Sequence, residues 1–348
     1  MAKNEKLGRH LVEFLEDSQY EKDDKFFQKL ITNIKALWMI YRNAELDSTN
    51  ALLVATKFGR TAIVKAMIKK GADLNRKIFD KETALDIAIE KHYDEIALCL
   101  IEAKADLKEA LHTAAYFANH TIAEKLLEIG VDINETNEYG DTALHYATCM
   151  RNYKMAKFLI DSGANINVKN HYGMTPLINV IYNDDYNMCQ ILINSGADVN
   201  LGRGKINNNS ALHIAVDNGN LDIVKLLIKS GANLNFKNIY GITPIQYALY
   251  RADVLSEKFD DDSKRFLPSF LLESETKKYN DIKEIIFELL KSGADVSTVT
   301  DDGRQTEDFT RNPDYKKLIQ ERKEKAKETS NIKKTKHKKT NKQQNMEM

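Results

Sequence analysis

Three histidines, His112, His145 and His213, are the residues whose type and recurrence first suggest chemistry in this sequence. Imidazole serves as a general base and as a metal ligand near neutral pH. A catalytic or metal site needs several such groups close together, whereas these three lie far apart in the sequence, each in a different copy of a recurring phrase. We therefore expect them to lie on separate structural units, and we predict no metal site from them.

Two short segments resemble fragments of functional motifs. Residues 202–205 (GRGK) resemble the start of a phosphate-binding loop but lack its second half. Residues 260–262 (DDD) would attract a divalent cation, yet they have neither the glycine nor the final glutamate of a calcium-binding loop. Serine-hydrolase, zinc-protease and paired-cysteine motifs are also missing from the sequence. We therefore expect no catalytic residue, no metal and no cofactor, and we predict that the protein is not an enzyme.

The cysteines and the hydropathy limit the setting in which the chain works. Cys99, Cys149 and Cys189 form an odd, scattered set that favours neither disulfides nor a zinc site and indicates a reducing compartment. No apolar run reaches the length of about 18 residues that suggests a membrane span, and the first residues lack the apolar region of a signal peptide. We expect a cytoplasmic protein without a membrane partner, with the nucleus or a host cell as alternative locations.

A phrase ending in Thr or Ser recurs through most of the chain, and its period indicates the architecture. The residue after that Thr or Ser lies at Ala84, Ala143, Pro176, Ala211 and Pro244. The last three intervals between these positions are nearly equal, at about 33 residues each. A fixed period of this size is typical of stacked repeats that bury a continuous core between neighbours.

Residues 210–231 show what one repeat contains. Apolar residues recur at helical spacing in 212–215 and again in 223–228. Residues 217–220 (DNGN) have the composition of a turn, and Gly231 suits the left-handed residue that ends a helix. Each repeat is thus predicted as helix–turn–helix followed by an extended turn, and its second helix is too apolar to be stable without neighbouring repeats.

This pattern resembles the ankyrin repeat. The fullest copies are residues 142–145 (TALH), 175–177 (TPL) and 210–213 (SALH), each preceded by an asparagine-rich turn. The resemblance implies an all-α ankyrin-repeat solenoid of about seven units over residues 46–311. In that family the histidine of the phrase has a structural hydrogen-bonding role at the turn.

Three copies depart from the family pattern. The turn before Ala110 is almost deleted, and the last copy, residues 302–306, is degenerate. The copy at Pro244 carries a long insertion, assigned to 251–280, which mixes charged with apolar residues. Because insertions in repeats map to loops, often on the binding face, this one either covers the last helix pair or presents an apolar motif to a partner.

The two ends of the chain differ from the repeats. Residues 1–45 are predicted as a helical N-terminal cap or, alternatively, a small docking domain. Residues 312–348 are predicted as a charged, largely disordered tail, and from 316 onward they hold 12 Lys or Arg and 4 Glu, a net charge of +8. Its basic cluster is either a solubilising element or a contact for nucleic acid, a nuclear-import receptor or an acidic surface, through Lys333, Lys334, Lys336, Lys338 and Lys339.

Tyrosines recur at the positions through which ankyrin proteins usually meet their partners. The resemblance places three on the turn tips and three on the concave face of the first helices: Tyr139, Tyr172, Tyr240, and Tyr116, Tyr182, Tyr250. Tyrosine offers a large amphipathic contact area at little cost in rotamer entropy and is enriched at binding hot spots. The alternative is that each of these tyrosines packs against the adjacent turn.

These observations predict a monomeric, non-catalytic protein that recognises a partner protein. An adaptor, a sequestering factor and a host-directed effector all fit, the last because Lys-, Asn- and Ile-rich composition resembles ankyrin proteins of intracellular bacteria and large viruses. The alternative is a nucleic-acid-associated or nuclear factor that uses the basic tail. A third hypothesis is an enzyme or an enzyme substrate, the latter because the patterns ending at Asn134 and Asn200 resemble asparagine hydroxylation sites in ankyrin repeats.

Overall fold

The structure is a computed structural model, and it describes the backbone of residues 48–77, 82–204, 207–257 and 269–344. Side chains are described within the same ranges except at 48–51, 269–273 and 329–344. The predicted cap, residues 1–45, and the aspartate run at 260–262 therefore lie outside the described residues. So do the side chains of the predicted basic cluster.

The described residues form fifteen α-helices and no strand, which confirms an all-α fold. They divide into two compact units. Unit 1 comprises the chain up to Glu138 together with Thr142–Ala164. Unit 2 comprises Tyr139–Asp141 together with the chain from Asn165 onward.

Unit 1 consists of four helix pairs within its described part. The helices are α1 (Ser48–Lys57), α2 (Thr61–Lys69), α3 (Ala84–Glu90), α4 (Asp94–Glu102), α5 (Ala110–Tyr116), α6 (His120–Glu128), α7 (Ala143–Cys149) and α8 (Tyr153–Asp161). Within each pair the two helices pack against each other, and α3, α5 and α7 also stack in succession.

Unit 2 continues the pattern with three helix pairs and a different ending. The pairs are α9 (Pro176–Tyr182) with α10 (Tyr186–Asn194), α11 (Ala211–Asn218) with α12 (Leu221–Lys229), and α13 (Pro244–Glu257) with α14 (Ser269–Lys291). A short 3-10 helix (Thr306–Phe309) and the helix α15 (Pro313–Gln344) follow. First helices stack on first helices and second helices on second helices.

Hydrogen bonds from side chains determine where the helices begin. The hydroxyls of Thr175 and Ser210 accept the backbone N–H three residues on, which caps the first helices α9 and α11. The side-chain oxygens of Asn119, Asp185 and Asn220 do the same for the second helices α6, α10 and α12. The recurring Thr or Ser is therefore a capping residue, as its position before each apolar run predicts.

The core of each repeat is an apolar contact between its helices and those of the next repeat. One leucine in each of six second helices is fully buried: Leu100, Leu126, Leu159, Leu192, Leu227 and Leu289. Alanines such as Ala147 and Ala215 are buried on the first helices. Burying one leucine side chain contributes about 2–3 kcal/mol, so neighbouring repeats stabilise each other chiefly through these helices.

An asparagine ladder joins the extended turns of unit 2. The side-chain oxygens of Asn167, Asn200 and Asn235 accept the backbone N–H of Asp198, Asn233 and Asp295, at 2.9, 2.7 and 2.8 Å. Asn200 also donates from Nδ2 to the Gly231 carbonyl at 3.2 Å. The side chain of Asn200, which ends one of the hydroxylation-like patterns, therefore links its own turn to the next one.

The insertion lengthens the last helix pair. Helix α13 has 14 residues and α14 has 23, whereas α11 and α12 have 8 and 9. The two long helices pack on each other, and Leu255, within the insertion, and Ile282, just after it, are buried. Both predicted roles of the insertion, covering the last helix pair and presenting an apolar motif to a partner, stay predictions, because most of its apolar residues lie outside the described side chains. Residues 258–268 lie outside the described range.

In the structure, residues Pro313–Gln344 of the tail form the helix α15, and the disorder of the tail stays a prediction. Its start is anchored: Tyr315 and Ile319 are buried, and Lys323 pairs with Glu307 at 2.5 Å. Lys, Glu and Gln, which are frequent in this segment, have high helix propensity. A helix anchored at one end needs few apolar residues along the rest of its length.

Candidate protein-binding surface

The turn that carries Tyr172 is held by the buried side chain of Asn170. The Asn170 side-chain oxygen accepts the backbone N–H groups of Tyr172 and Met174, both at 3.0 Å. Its amide nitrogen donates to the Asp141 carboxylate at 2.7 Å. These three bonds fix the turn and its link to the preceding one, so that the backbone of Tyr172 has a defined position.

Asn238 holds the turn that carries Tyr240 in the same way. Its side-chain oxygen accepts the N–H groups of Tyr240 and Ile242 at 3.0 and 3.1 Å. Its amide nitrogen donates to the Asn209 side-chain oxygen at 3.0 Å. Two tyrosines that belong to different repeats are thus presented by the same backbone arrangement.

Successive turn tips also touch through their backbones. The His171 N–H donates to the Tyr139 carbonyl at 2.8 Å, and the Ile239 N–H donates to the Asn207 carbonyl at 3.1 Å. Gly140 lies so close to the next turn that a Cβ there would approach the His171 nitrogen to 2.9 Å. The tips of unit 2 therefore form hydrogen-bonded pairs, and the contact at Gly140 leaves no room for a side chain.

All six predicted tyrosines expose more than a third of their surface. The exposed fractions are 38% for Tyr116, 48% for Tyr139, 50% for Tyr172, 39% for Tyr182, 57% for Tyr240 and 52% for Tyr250. A purely packing role would require side chains that are largely covered. Tyr116 lies in unit 1 beside Phe117 and Tyr146, with ring centroids 4.8 and 6.0 Å away, and the other five lie in unit 2.

Polar residues organise the first-helix face of unit 2 around Tyr182 and Tyr250. Arg203 Nη1 donates to the Tyr182 hydroxyl at 2.9 Å. Tyr247, whose ring lies 6.4 Å from that of Tyr250, donates from its hydroxyl to Asp217 at 3.1 Å. Burial, reinforced by Asp217, raises the pKa of Tyr247 to about 12, so its hydroxyl remains a donor at neutral pH.

Arg203, Tyr247 and Asp217 were not among the predicted site residues. Tyr247 lies three residues before Tyr250, one helical turn away on the same face, so the helical period offered a signal for it. Arg203 had a weaker signal, since residues 202–205 were noticed only as a fragment of a phosphate loop. Two further apolar side chains, Ile239 beside Tyr240 and Phe287 on α14, are also exposed.

Two of the recurring histidines, His145 and His213, make hydrogen bonds at the starts of first helices. His213 is buried; its Nδ1 accepts the Ser210 N–H at 3.3 Å, and its Nε2 lies 3.0 Å from the Ile242 carbonyl. Nε2 is therefore assigned as the protonated nitrogen, which donates to that carbonyl. Burial lowers the pKa of His213 to about 4, so the ring is neutral at pH 7. The Nδ1 of His145 accepts the Thr142 N–H at 3.1 Å in the same manner.

Within the described ranges, no three His, Cys, Asp or Glu side chains are grouped so as to hold a metal ion. None of the helices in that part of the chain combines the length and the apolar character needed to cross a membrane. The turn tips and first helices that bear the tyrosines thus provide aromatic, hydrogen-bonding and charged groups on a fixed backbone.

A family model described as ankyrin repeats (3 copies) matches residues 18–110, 111–203, 166–239 and 201–256. The chain belongs to the ankyrin repeat family. Ankyrin repeats are generally protein–protein interaction modules and are typically non-catalytic. The first match begins at residue 18, inside the segment predicted as a cap, and the last ends before α14. No curated protein matches the chain.

Proposed function

We propose that this ankyrin protein is a monomeric, non-catalytic recognition module that binds a partner protein through the turn tips and the first-helix face. It would act as an adaptor, a sequestering factor or a host-directed effector. The observation that carries the proposal is that five tyrosines of unit 2 are 39–57% exposed, while buried Asn170 and Asn238 fix two of the turns that bear them.

Fixed turns favour binding because the conformational freedom that a surface loses on association lowers the affinity. A tyrosine on a hydrogen-bonded turn has only its own side-chain torsions left to order. It supplies a ring for apolar contact and a hydroxyl for a hydrogen bond. Tyr139, Tyr172 and Tyr240 on the tips, and Tyr182 and Tyr250 on the first helices, are the residues proposed to meet the partner. Tyr116 would extend the contact onto unit 1.

The test is affinity purification from cell lysate with the wild-type chain and with Tyr172→Ala combined with Tyr240→Ala. The matched control is Tyr186→Ala, which removes a tyrosine that is 38% exposed but begins the second helix α10. We expect a salt-resistant protein partner that the wild type and the control retain and the double variant loses. A partner retained by all three chains would contradict the proposed surface.

A second candidate function belongs to α15. Residues 316–348 carry a net charge of +8, and the helix that bears most of them is anchored at Tyr315 and Ile319. A basic helix of this kind would bind a nucleic-acid backbone through counterion release, and the affinity would fall steeply with salt. Lys333, Lys334, Lys336, Lys338 and Lys339 would be the contacts.

A truncation after Glu328 tests this second function without disturbing the anchored start of α15. We expect double-stranded DNA or RNA to bind the full chain at low ionic strength and to be lost from the truncated chain. Equal binding by both chains would exclude the distal part of α15 as the nucleic-acid contact. The protein partner of the tyrosine surface should be retained by the truncated chain in either case.

A further inference from the structure

Arg203 is a cation of the tyrosine surface of unit 2 whose head group is held in place by Tyr182. Its guanidinium carbon lies 5.2 Å from the centroid of the Tyr182 ring, and its Nη1 donates to the Tyr182 hydroxyl at 2.9 Å. The Arg203 backbone N–H donates to the Asn209 carbonyl at 3.0 Å. Both the backbone and the head group are thereby held, and the charge has a defined place beside an exposed ring.

This cation has no carboxylate partner in the part of the chain that the structure describes, since no ion pair within 4.0 Å involves Arg203. Arg251, on the same first-helix face, differs: its Nε lies 3.2 Å from Asp217 Oδ1, and its Nη2 donates to the Asp217 carbonyl. The two arginines resemble each other in setting, but only the charge of Arg251 is neutralised locally.

A second cation reinforces the charge beside Arg203. Lys169 Nζ donates to the carbonyl of Gly202 at 2.8 Å and likewise forms no ion pair with the described residues. The carboxylate of Asp141, on the neighbouring turn, is already engaged by Asn170 at 2.7 Å. The surface near Tyr182 therefore presents two positive charges that no carboxylate of the described residues neutralises.

The guanidinium also has unused hydrogen-bonding capacity. Arginine carries five N–H groups, and the only hydrogen bond to the Arg203 side chain among the described residues is the one from Nη1 to Tyr182. Its Nε is shielded from solvent and has no acceptor in that part of the chain. A carboxylate is the group best matched to a planar guanidinium, because it accepts two parallel N–H bonds.

We propose that Arg203, held by Tyr182, receives a carboxylate side chain of the partner, so that the surface selects acidic protein segments that also carry apolar or aromatic residues. The apolar residues of the segment would lie on the exposed rings of Tyr182 and Tyr172, and Lys169 would add to the attraction. This inference rests on the proposed function, because it specifies what kind of protein segment the tyrosine surface binds.

The experiment is a selection of phage-displayed random peptides on the immobilised full chain, followed by titration of the enriched synthetic peptides. We expect the enriched peptides to share an Asp or Glu next to apolar or aromatic residues. Arg203→Gln should weaken their binding by about ten- to a hundredfold, the range for a hydrogen-bonded charge. Replacing the shared Glu of the peptide by Gln should weaken wild-type binding equally and add nothing further in the Arg203→Gln chain.

Three further measurements test whether the loss of peptide binding comes from the Arg203 charge itself. Lys225→Glu changes an exposed charge on the second helix α12 and should leave peptide binding unchanged. Circular dichroism melting of Arg203→Gln should match the wild type, which shows that the loss of binding is not a loss of fold. A selection on Arg203→Glu should enrich basic residues at the position where the wild type enriches acidic ones.

The outcomes distinguish this inference from the proposed function. If the enriched peptides lack a shared acidic residue, or bind Arg203→Gln as tightly as the wild type, the inference is wrong. If those same peptides are lost with Tyr172→Ala and Tyr240→Ala, the tyrosine surface is retained as the binding site. If the folded chain enriches no peptide, both proposals are overturned.

Discussion

The last two repeats of unit 2 use the same turn chemistry but have helix pairs of very different length. Helices α11 and α12 have 8 and 9 residues, whereas α13 and α14 have 14 and 23. Even so, Ser210 with His213 and Thr243 with Gln246 make equivalent hydrogen bonds at the two helix starts. The hydrogen bonds at the helix starts are therefore the same in both repeats, although the helices that follow differ in length.

Gln246 shows how one repeat replaces the histidine of the other. Its side-chain oxygen accepts the Thr243 N–H at 2.9 Å, as His213 Nδ1 accepts the Ser210 N–H at 3.3 Å. Its amide nitrogen donates to the Thr298 carbonyl at 3.1 Å, where His213 has the Ile242 carbonyl at 3.0 Å. The position thus requires an acceptor and a donor at a fixed separation and does not require imidazole.

The largest expected effect compares the cores of the two repeats. Leu227→Ala in α12 should lower the free energy of unfolding by about 2–5 kcal/mol, as large-to-small changes in a packed core do. Ile282→Ala in α14 should cost a similar amount, because that side chain is also fully buried. Urea denaturation monitored by circular dichroism would measure both.

The Ile282 result tests whether the part of α14 that directly follows the insertion is packed into the core. Surface substitutions usually change the free energy of unfolding by well below about 1 kcal/mol. A cost of that size for Ile282→Ala would mean that this part of α14 packs loosely. Exposed Lys225→Ala on α12 is the control, and it should change stability little.

The second prediction concerns pH. Because burial lowers the pKa of His213 to about 4 from 6.5, the unfolded chain binds a proton at pH values where the folded chain does not. The stability linked to this residue is fully present above about pH 6.5 and is lost as the pH falls toward 4. Between pH 7 and pH 5 the loss should be about 2 kcal/mol.

His213→Gln supplies the matched comparison, since Gln246 already performs the same task one repeat on. The variant should fold at pH 7 and should lack this share of the acid destabilisation. Denaturation curves of both chains at pH 7, 6 and 5 give the difference directly. Parallel pH dependence in the two chains would show that His213 titrates normally and that its burial is not maintained in solution.

The sequence predicted those parts of the fold that recur from repeat to repeat better than those that occur once. The regular period of the repeats, the capping Thr or Ser and the apolar spacing predicted the helix pairs, while the placing of the tyrosines on the tips and the first helices came from the resemblance to ankyrin repeats. Leu255 was harder to place, because an insertion has no second copy in the chain against which to compare it. The composition of the tail is visible in the sequence, whereas the buried contacts of Tyr315 and Ile319 at the start of α15 are not.

The contact between Arg203 and Tyr182 could not be predicted from the sequence for a different reason. An arginine in a turn and a tyrosine at the end of an earlier helix have no spacing rule that relates them. They meet because the turn before α11 folds back onto the first helix of the preceding repeat, where the Tyr182 hydroxyl accepts from Arg203. Contacts between repeats of this kind depend on where side chains point, which periodicity does not specify.

The third prediction compares two members of the asparagine ladder. Asn200 uses both ends of its amide, with Oδ1 accepting from Asn233 and Nδ2 donating to Gly231, whereas Asn235 uses only Oδ1 within the described residues. Asn200→Asp should therefore cost up to about 1 kcal/mol more than Asn235→Asp, since a carboxylate cannot donate to a carbonyl. Thermal melting at pH 7 would rank the two variants, and equal melting temperatures would mean that the Nδ2 bond is unimportant.

The smallest expected effect on stability belongs to the residues proposed for binding. Tyr172→Ala combined with Tyr240→Ala should change the free energy of unfolding by less than about 1 kcal/mol, because half or more of each side chain is exposed. Asn170 and Asn238 fix the two turns through backbone N–H groups, which the substitutions leave in place. The double variant should thus keep the melting curve of the wild type while losing the partner. A marked drop in melting temperature would instead make the tyrosines packing residues, and the contrast between turns that hold the fold and side chains that meet a partner would be lost.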